Sequence, residues 1–267
     1  MKICTVLLSA AFAVSLFAAE GGVIRTLENR DLKVSSIQAL PDGTLEYTLA
    51  DGKVKTKIPR GRYLYAWIPM PAELSRADEF LKNGSFAQAA AAYKSAYDKY
   101  KLLGWDLYCI AGEAEALAGL GEKEEAVKRL DPLKNYKLQN MRLVPHLNRV
   151  RRLNARLSIE LGKYEDAMPL LNEMSSGNDE SNAAFAFLQK GNILRKKGSL
   201  KEASLMYLQA VLLFDRTPER PEALYSLASV LKELKDPNAE KFAGILKKEY
   251  PESPYVRLLS GTAGGTK

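Results

Sequence analysis

Gly198-Ser199-Leu200-Lys201-Glu202-Ala203-Ser204-Leu205-Met206-Tyr207-Leu208-Gln209-Ala210 decides the fold, because the chain repeats its pattern. A glycine is followed two residues on by an apolar or aromatic residue. Then come Ala at +5, a large apolar residue at +9 and a small or apolar residue at +12. From Gly84 this count gives Phe86, Ala89, Tyr93 and Ala96; from Gly162 it gives Tyr164, Ala167, Leu171 and Met174. From Gly121 it gives Lys123, a departure, and then Ala126, Leu130 and Leu133. The glycines stand 37, 41 and 36 residues apart (84 to 121, 121 to 162, 162 to 198). A period of this length, holding two helices, predicts stacked helix pairs: an α-solenoid, since one pair alone cannot bury its apolar face.

The spacing has a physical reading. Each glycine suits the left-handed position just past a helix end, where it lets the last carbonyls find donors. Lys82, Lys196 and Lys197 stand where the helix dipole favours cations. Ser85 with Gln88, and Ser199 with Glu202, predict capping boxes opening the second helix. The alanines at +5 and +12 allow close approach, and the large residues at +2 and +9 fill the groove between helices.

Small residues stand seven before each glycine, at Ala77, Ala114, Ala155 and Gly191. Four before it stand Phe80, Leu117, Ser158 and Leu194, with Ser158 the misfit. The whole pattern resembles the tetratricopeptide repeat family over residues 73–259. A fifth, degenerate unit has a first helix from Ala223 to Leu234, a glycine-free turn Lys235-Asp236-Pro237, and Ala239, Phe242, Ala243 and Leu246 in its second helix. Tyr250-Pro251-Glu252-Ser253-Pro254-Tyr255 is similar to a helix-ending motif of bacterial envelope members. The resemblance implies a mainly α fold of about five helix pairs, serving as a non-catalytic scaffold for partner proteins.

The rest of the chain differs. Lys2 followed by an apolar run, Ile3 to Ala19, predicts a secretory signal peptide over residues 1–19; an uncleaved membrane anchor is the other reading. Residues 20–72 hold five short β-branched and aromatic segments: Val23–Leu27, Leu32–Ala39, Thr44–Ala50, Val54–Ile58 and Tyr63–Ile68. Leu45, Tyr47 and Leu49 alternate with Glu46 and Thr48, Pro41-Asp42-Gly43 marks a turn, and Asp51-Gly52 predicts a tight hairpin. Together they predict a small antiparallel barrel of SH3 or Sm type. Residues 260–267 read as a flexible Gly/Thr tail.

Composition limits the chemistry. With Cys4 inside the leader, Cys109 has no partner for an intramolecular disulfide and is expected as a buried thiol. His146 is the sole histidine, so a multi-histidine zinc site is excluded; it follows Pro145 at a helix start, where a surface or capping role is expected. No nucleophile elbow, CxxC or HExxH occurs, and Glu113, Glu115, Glu124 and Glu125 fall in runs expected to face solvent. No cofactor and no metal are expected. The formal charge of +7 drops by one with Lys2, a modest basicity that suits an anionic surface or acidic partner. Trp105 reads as an inter-repeat packing residue, with a partner anchor as the other reading.

By family resemblance the first helix of each unit lines a concave groove. In the third unit Arg149, Arg152 and Arg156 share one face, opposite Leu147, Val150, Leu153, Leu157 and Leu161. The fourth adds Asn192, Arg195 and Lys196, and the fifth Lys232; Asp78, Lys82 and Glu115 stand at such places in the first two. These residues predict a groove for a protein or peptide partner, acidic in character, a site for a glycan or lipid headgroup, or a solvated basic face with no ligand. The expected setting is export to the periplasm and a role in the cell envelope, with no nucleic acid and no transmembrane span after leader removal. The alternative makes the β module a peptidoglycan or envelope-surface binder, with the repeats as spacer.

Overall fold

A computed structural model describes residues 19–138 and 140–259. The expected leader, apart from Ala19, and the expected tail lie outside the described residues. The β-branched segments form five strands: β1 (Ala19–Thr26), β2 (Asp31–Ala39), β3 (Leu45–Leu49), β4 (Lys55–Ile58) and β5 (Tyr63–Trp67). Every pairing is antiparallel, in the order β4-β3-β2-β1-β5. The sheet is open: β4 and β5 end the order and do not pair, so the expected barrel does not close. The reason lies in the covering of its apolar face. Ile24, Val34, Ile37, Leu45, Tyr47 and Ala66 share one core with Leu74, Ala77, Tyr93 and Tyr100 of the first helix pair. A sheet covered by helices has no need to bury its face against itself.

Two turns refine the sequence reading. Gly43 takes φ 84° in the β2–β3 turn, where Asp42 Oδ1 accepts from the Thr44 N–H at 2.9 Å. The β3–β4 hairpin is wider than Asp51-Gly52 predicts, because its last pair is Thr48 with Lys55. Leu49, at that open end, is exposed, whereas Leu45 and Tyr47 are buried as their alternation requires.

Helices then run in pairs: α1 (Ala72–Lys82) with α2 (Phe86–Tyr100), α3 (Asp106–Gly119) with α4 (Lys123–Leu130), and α5 (Val144–Glu160) with α6 (Tyr164–Ser176). They continue with α7 (Glu180–Lys196) and α8 (Leu200–Leu213), then α9 (Arg220–Glu233) and α10 (Asn238–Glu249). A short α11 (Pro254–Leu259) returns to α9, tied by the Tyr255 hydroxyl donating to Glu222 at 2.8 Å. Trp105 is buried where sheet and solenoid join. Its Nε1–H donates to the Ile68 carbonyl at 3.1 Å, and the Ile68 N–H donates to Leu103 O at 3.3 Å. Cys109 is buried in the same core, and burial pushes its thiol up to about 12.

The turns inside the pairs share one geometry. Gly84, Gly121, Gly162 and Gly198 take φ between 73° and 87°. After α1, Ser85 N–H donates to Phe80 O and Gly84 N–H to Leu81 O, which is the Schellman arrangement; the same two bonds recur at the other three glycines. The fifth pair keeps it without a glycine. Lys235 takes φ 58°, its N–H donates to Lys232 O, and Asp236 N–H donates to Leu231 O.

The expected capping boxes do not form. Ser85 and Ser199 make no side-chain capping bond, and their ψ values are 58° and 68°. Glu122 and Lys163, at the same place, take ψ 55° and 63°. The short turn out of the left-handed residue thus fixes ψ for whatever residue stands there and carries it away from the extended value a capping side chain needs. Two other departures have local causes. Pro132 ends α4 early, so Leu133 is buried from a 3₁₀ turn. Ser158 is paired: its Oγ donates to Asn154 Oδ1 (3.3 Å), and Asn154 Nδ2 donates to Asp131 (3.1 Å).

Within the pairs, large rings fit against small residues. A Cβ on Gly191 would lie 2.5 Å from the Tyr207 ring, whose hydroxyl donates to Asn192 at 2.8 Å. Gly112 is closed in the same way by Tyr93, which donates to Asp78. Gly191→Ala is therefore expected to destabilise by about 1–3 kcal/mol through overpacking. Lys235→Gly is expected to stabilise by about 1 kcal/mol, relieving the left-handed strain of a residue with a Cβ. Thermal and urea unfolding of the two variants checks both signs.

Candidate functional site

The first helices of successive pairs touch one another (α1–α3, α3–α5, α5–α7, α7–α9), whereas each second helix packs on the next first helix. The first helices thus form the inner, concave wall. On α5 the leucine face is buried at Leu147, Val150, Leu153 and Leu157, which turns Arg149, Arg152 and Arg156 into the groove. A cleft of about 510 Å³ is lined by those arginines with Glu115, Phe185, Leu188, Gln189, Glu219 and Glu222. An adjoining cleft of about 340 Å³ adds Asn192, Arg195 and Lys196, and the two share Arg156, Gln189 and Glu222. The six residues singled out from the sequence therefore line one continuous groove. Lys232 stands apart, in a cleft at the far end of the solenoid with Tyr225, Ala243 and Leu259.

The basic residues of the groove are mostly paired with carboxylates and amides of their neighbours. Arg149 is held bidentately by Glu115, Nε–Oε1 at 3.0 Å and Nη2–Oε2 at 2.7 Å, over the Tyr108 ring. Arg152 uses all three of its nitrogens: Nε donates to Asn182 (2.7 Å), Nη2 to Ser181 (2.8 Å) and Nη1 to Glu219 (2.7 Å). Arg195 pairs with Glu233, Asn192 accepts from Tyr207, and Lys196 Nζ reaches the Ile159 carbonyl at 3.4 Å. Arg156 differs from these. It is exposed and, among the described residues, makes no hydrogen bond or ion pair. Asp78 is occupied too, accepting from Tyr93 and from Tyr108 (2.6 Å).

Two carboxylates expected in solvent are paired instead. Glu115 holds Arg149, and Glu113 accepts from Arg129 Nε at 2.8 Å. Glu219 and Glu222, which sequence reasoning missed, come from the start of α9; Glu219 meets Arg152 across 67 residues of chain, a distance no spacing rule spans. Phe185 carries Arg152 on its ring face at 5.2 Å. Among the described residues no cluster of three metal-ligating side chains occurs. No described helix is long and apolar enough to cross a membrane.

His146 has neither the surface nor the capping role expected of it. It is half-buried against Trp105 (5.7 Å between ring centroids) and edge-on to Tyr108 (5.2 Å). Burial, and then the charge of Arg149, hold its pKa below the usual imidazole value. The unfolded chain therefore takes up this proton first, near pH 6.5, and the native state loses stability as the pH falls from there towards the lower folded value. Melting temperatures between pH 7 and pH 5 are expected to fall more steeply for the native protein than for His146→Gln.

Residues 74–132, which span α1 to α4, match the tetratricopeptide repeat family. A comparison with curated protein sequences gives no match. Among solved structures the chain is similar to the apo form of RapI, at 15% identity over 71% of this chain and 57% of that one, with a TM-score of 0.57. It is similar to the apo form of the quorum sensor NprR from B. thuringiensis, at 16% identity over 71% and 55%, with a TM-score of 0.57. It is also similar to putative kinesin light chain repeats from Podosopora anserina, at 16% identity over 68% and 96%, with a TM-score of 0.51. The match to this chain spans just over half the length of the first two. At such identities the likeness concerns the fold: a mainly helical, tetratricopeptide-repeat-like solenoid.

Proposed function

We propose that this protein is an exported, non-catalytic scaffold that holds an extended, acidic segment of a partner protein in its concave groove. One observation carries the reading: the residues selected from sequence line a single groove whose walls are fixed by internal ion pairs while Arg156 stands open between them. A guanidinium without a partner among the described residues, flanked by the amides of Gln189 and Asn192 and near the apolar Phe185 and Leu188, offers a carboxylate a charge-assisted bond. The neighbouring arginines do not compete for that ligand. Their own carboxylates hold them, so they give the groove its shape and leave the charge contact to Arg156 and Lys196. A prebuilt wall of this kind lowers the ordering cost of binding.

Export rests on the apolar run Ile3 to Ala19 after Lys2, and an envelope role on the Tyr250–Tyr255 motif. Recognition through the β sheet has less behind it, since the apolar face of the sheet covers the first helix pair. Crosslinking capture from intact cell envelopes tests the groove. Arg156→Glu combined with Lys196→Glu is expected to reduce capture of the partner at least about tenfold, with the melting temperature unchanged. Full capture by that variant would falsify the groove reading.

A further inference from the structure

The outward face of α8 carries a row of leucines that the groove reading does not use. Leu205, Leu212 and Leu213 are 57%, 64% and 63% exposed. Leu205 and Leu212 are seven residues apart and so share one face of the helix. The other repeats serve as an internal control. Counting from each turn residue, the places of Leu205 are taken by Ala91, Lys128, Pro169 and Lys241, and those of Leu212 within the helices by Asp98, Ser176 and Lys248. The α10 positions are counted one residue shorter, because Ala239 and Ala243 set the inward phase of that helix. Nothing in the solenoid architecture calls for leucine at these positions. Only the fourth pair places large apolar side chains there, where solvation disfavours them.

The neighbouring ridges differ in charge. On one side, α6 presents Glu165, Asp166 and Glu173 to solvent, with Glu165 3.7 Å from Lys197 and Glu173 3.0 Å from Arg151. On the other, α10 presents Lys241, Lys247 and Lys248, with Glu240, while its Glu249 is taken by Arg220. The surface thus reads acidic, apolar, basic across α6, α8 and α10. Such an order complements itself. A two-fold axis running along α8 lays the leucine row on its own copy and turns the acidic α6 of each protomer towards the basic α10 of its partner. An axis across the helices would set acid against acid.

We propose that the outward face of α8 is the docking site for a second copy of this chain, in a two-fold dimer with the leucines as its apolar core and α6 and α10 as its charged rim. The three leucines alone fall short of the roughly 800 Å² per partner that a stable interface buries, and the flanking helices supply the remainder. The concave grooves then face away from each other, so the dimer presents two peptide sites on opposite sides. The inference is independent of what those sites bind.

Sedimentation of the full chain as cells produce it, over a range of concentrations, tests this. At about 100 μM the native protein is expected near twice the monomer mass, as an interface of this size supports. Leu205→Glu with Leu212→Glu is expected to be monomeric throughout while keeping the native helical signal. Charge reversal adds a check that a folding defect cannot imitate. Lys241→Glu/Lys248→Glu and Glu165→Lys/Asp166→Lys are each expected to be monomeric, and their equimolar mixture is expected to dimerise again. A monomer at every concentration, with the leucines covered by the N-terminal apolar run or by another protein, overturns the proposal. So does a dimer that survives the leucine changes.

Discussion

The turn inside each helix pair is the constraint on which the solenoid depends. A backbone bent into the left-handed region lets two N–H groups return to the carbonyls of the last helical turn, and this fixes the angle at which the second helix leaves. With that angle set, Tyr93 and Tyr207 reach back to Asp78 and Asn192, fifteen residues earlier in each case. Those bonds close the first and fourth pairs, the five pairs stack, and the stacking brings the first helices to the concave wall. Lys235 shows how strict the requirement is: where the sequence offers no glycine, the chain adopts the same φ region with a lysine.

Much of this was legible because it is periodic. The glycine, alanine and aromatic spacings report contacts within about forty residues, and the groove-facing positions of α5 follow from the burial of its leucines. The capping boxes were misread since Ser85 and Ser199 have the right chemistry but enter the helix at the wrong ψ, a property of the preceding turn. The barrel was misread because strand count and alternation are local, whereas closure depends on whether helices cover the sheet. The inward placing of Arg149, Arg152 and Arg156 was legible, but not which carboxylates hold the first two. Glu115 and Glu219 reach Arg149 and Arg152 from other repeats, and only folding in three dimensions shows which arginine stays open.

The sheet also solves a problem common to repeat arrays, whose end units expose the face that a neighbour would cover. At the N-terminal end β1 to β5 take the place of a missing helix pair, joined through Trp105 and Ile68. At the other end α11 folds back on α9. The two ends are therefore closed by different devices, one a sheet and one a single helical turn and a half.

The Arg152–Glu219 pair has a mechanical consequence. In an ordinary solenoid each repeat feels only its neighbours, so the array behaves as a spring whose coils bend one after another. Here a side chain from the third pair grips the entrance to the fifth, through Ser181 and Asn182 of the fourth. That bond acts as a tie-rod across one coil of the spring. It stiffens the inner curvature along the cleft that Arg149, Arg152 and Arg156 line, and it couples three repeats to one another.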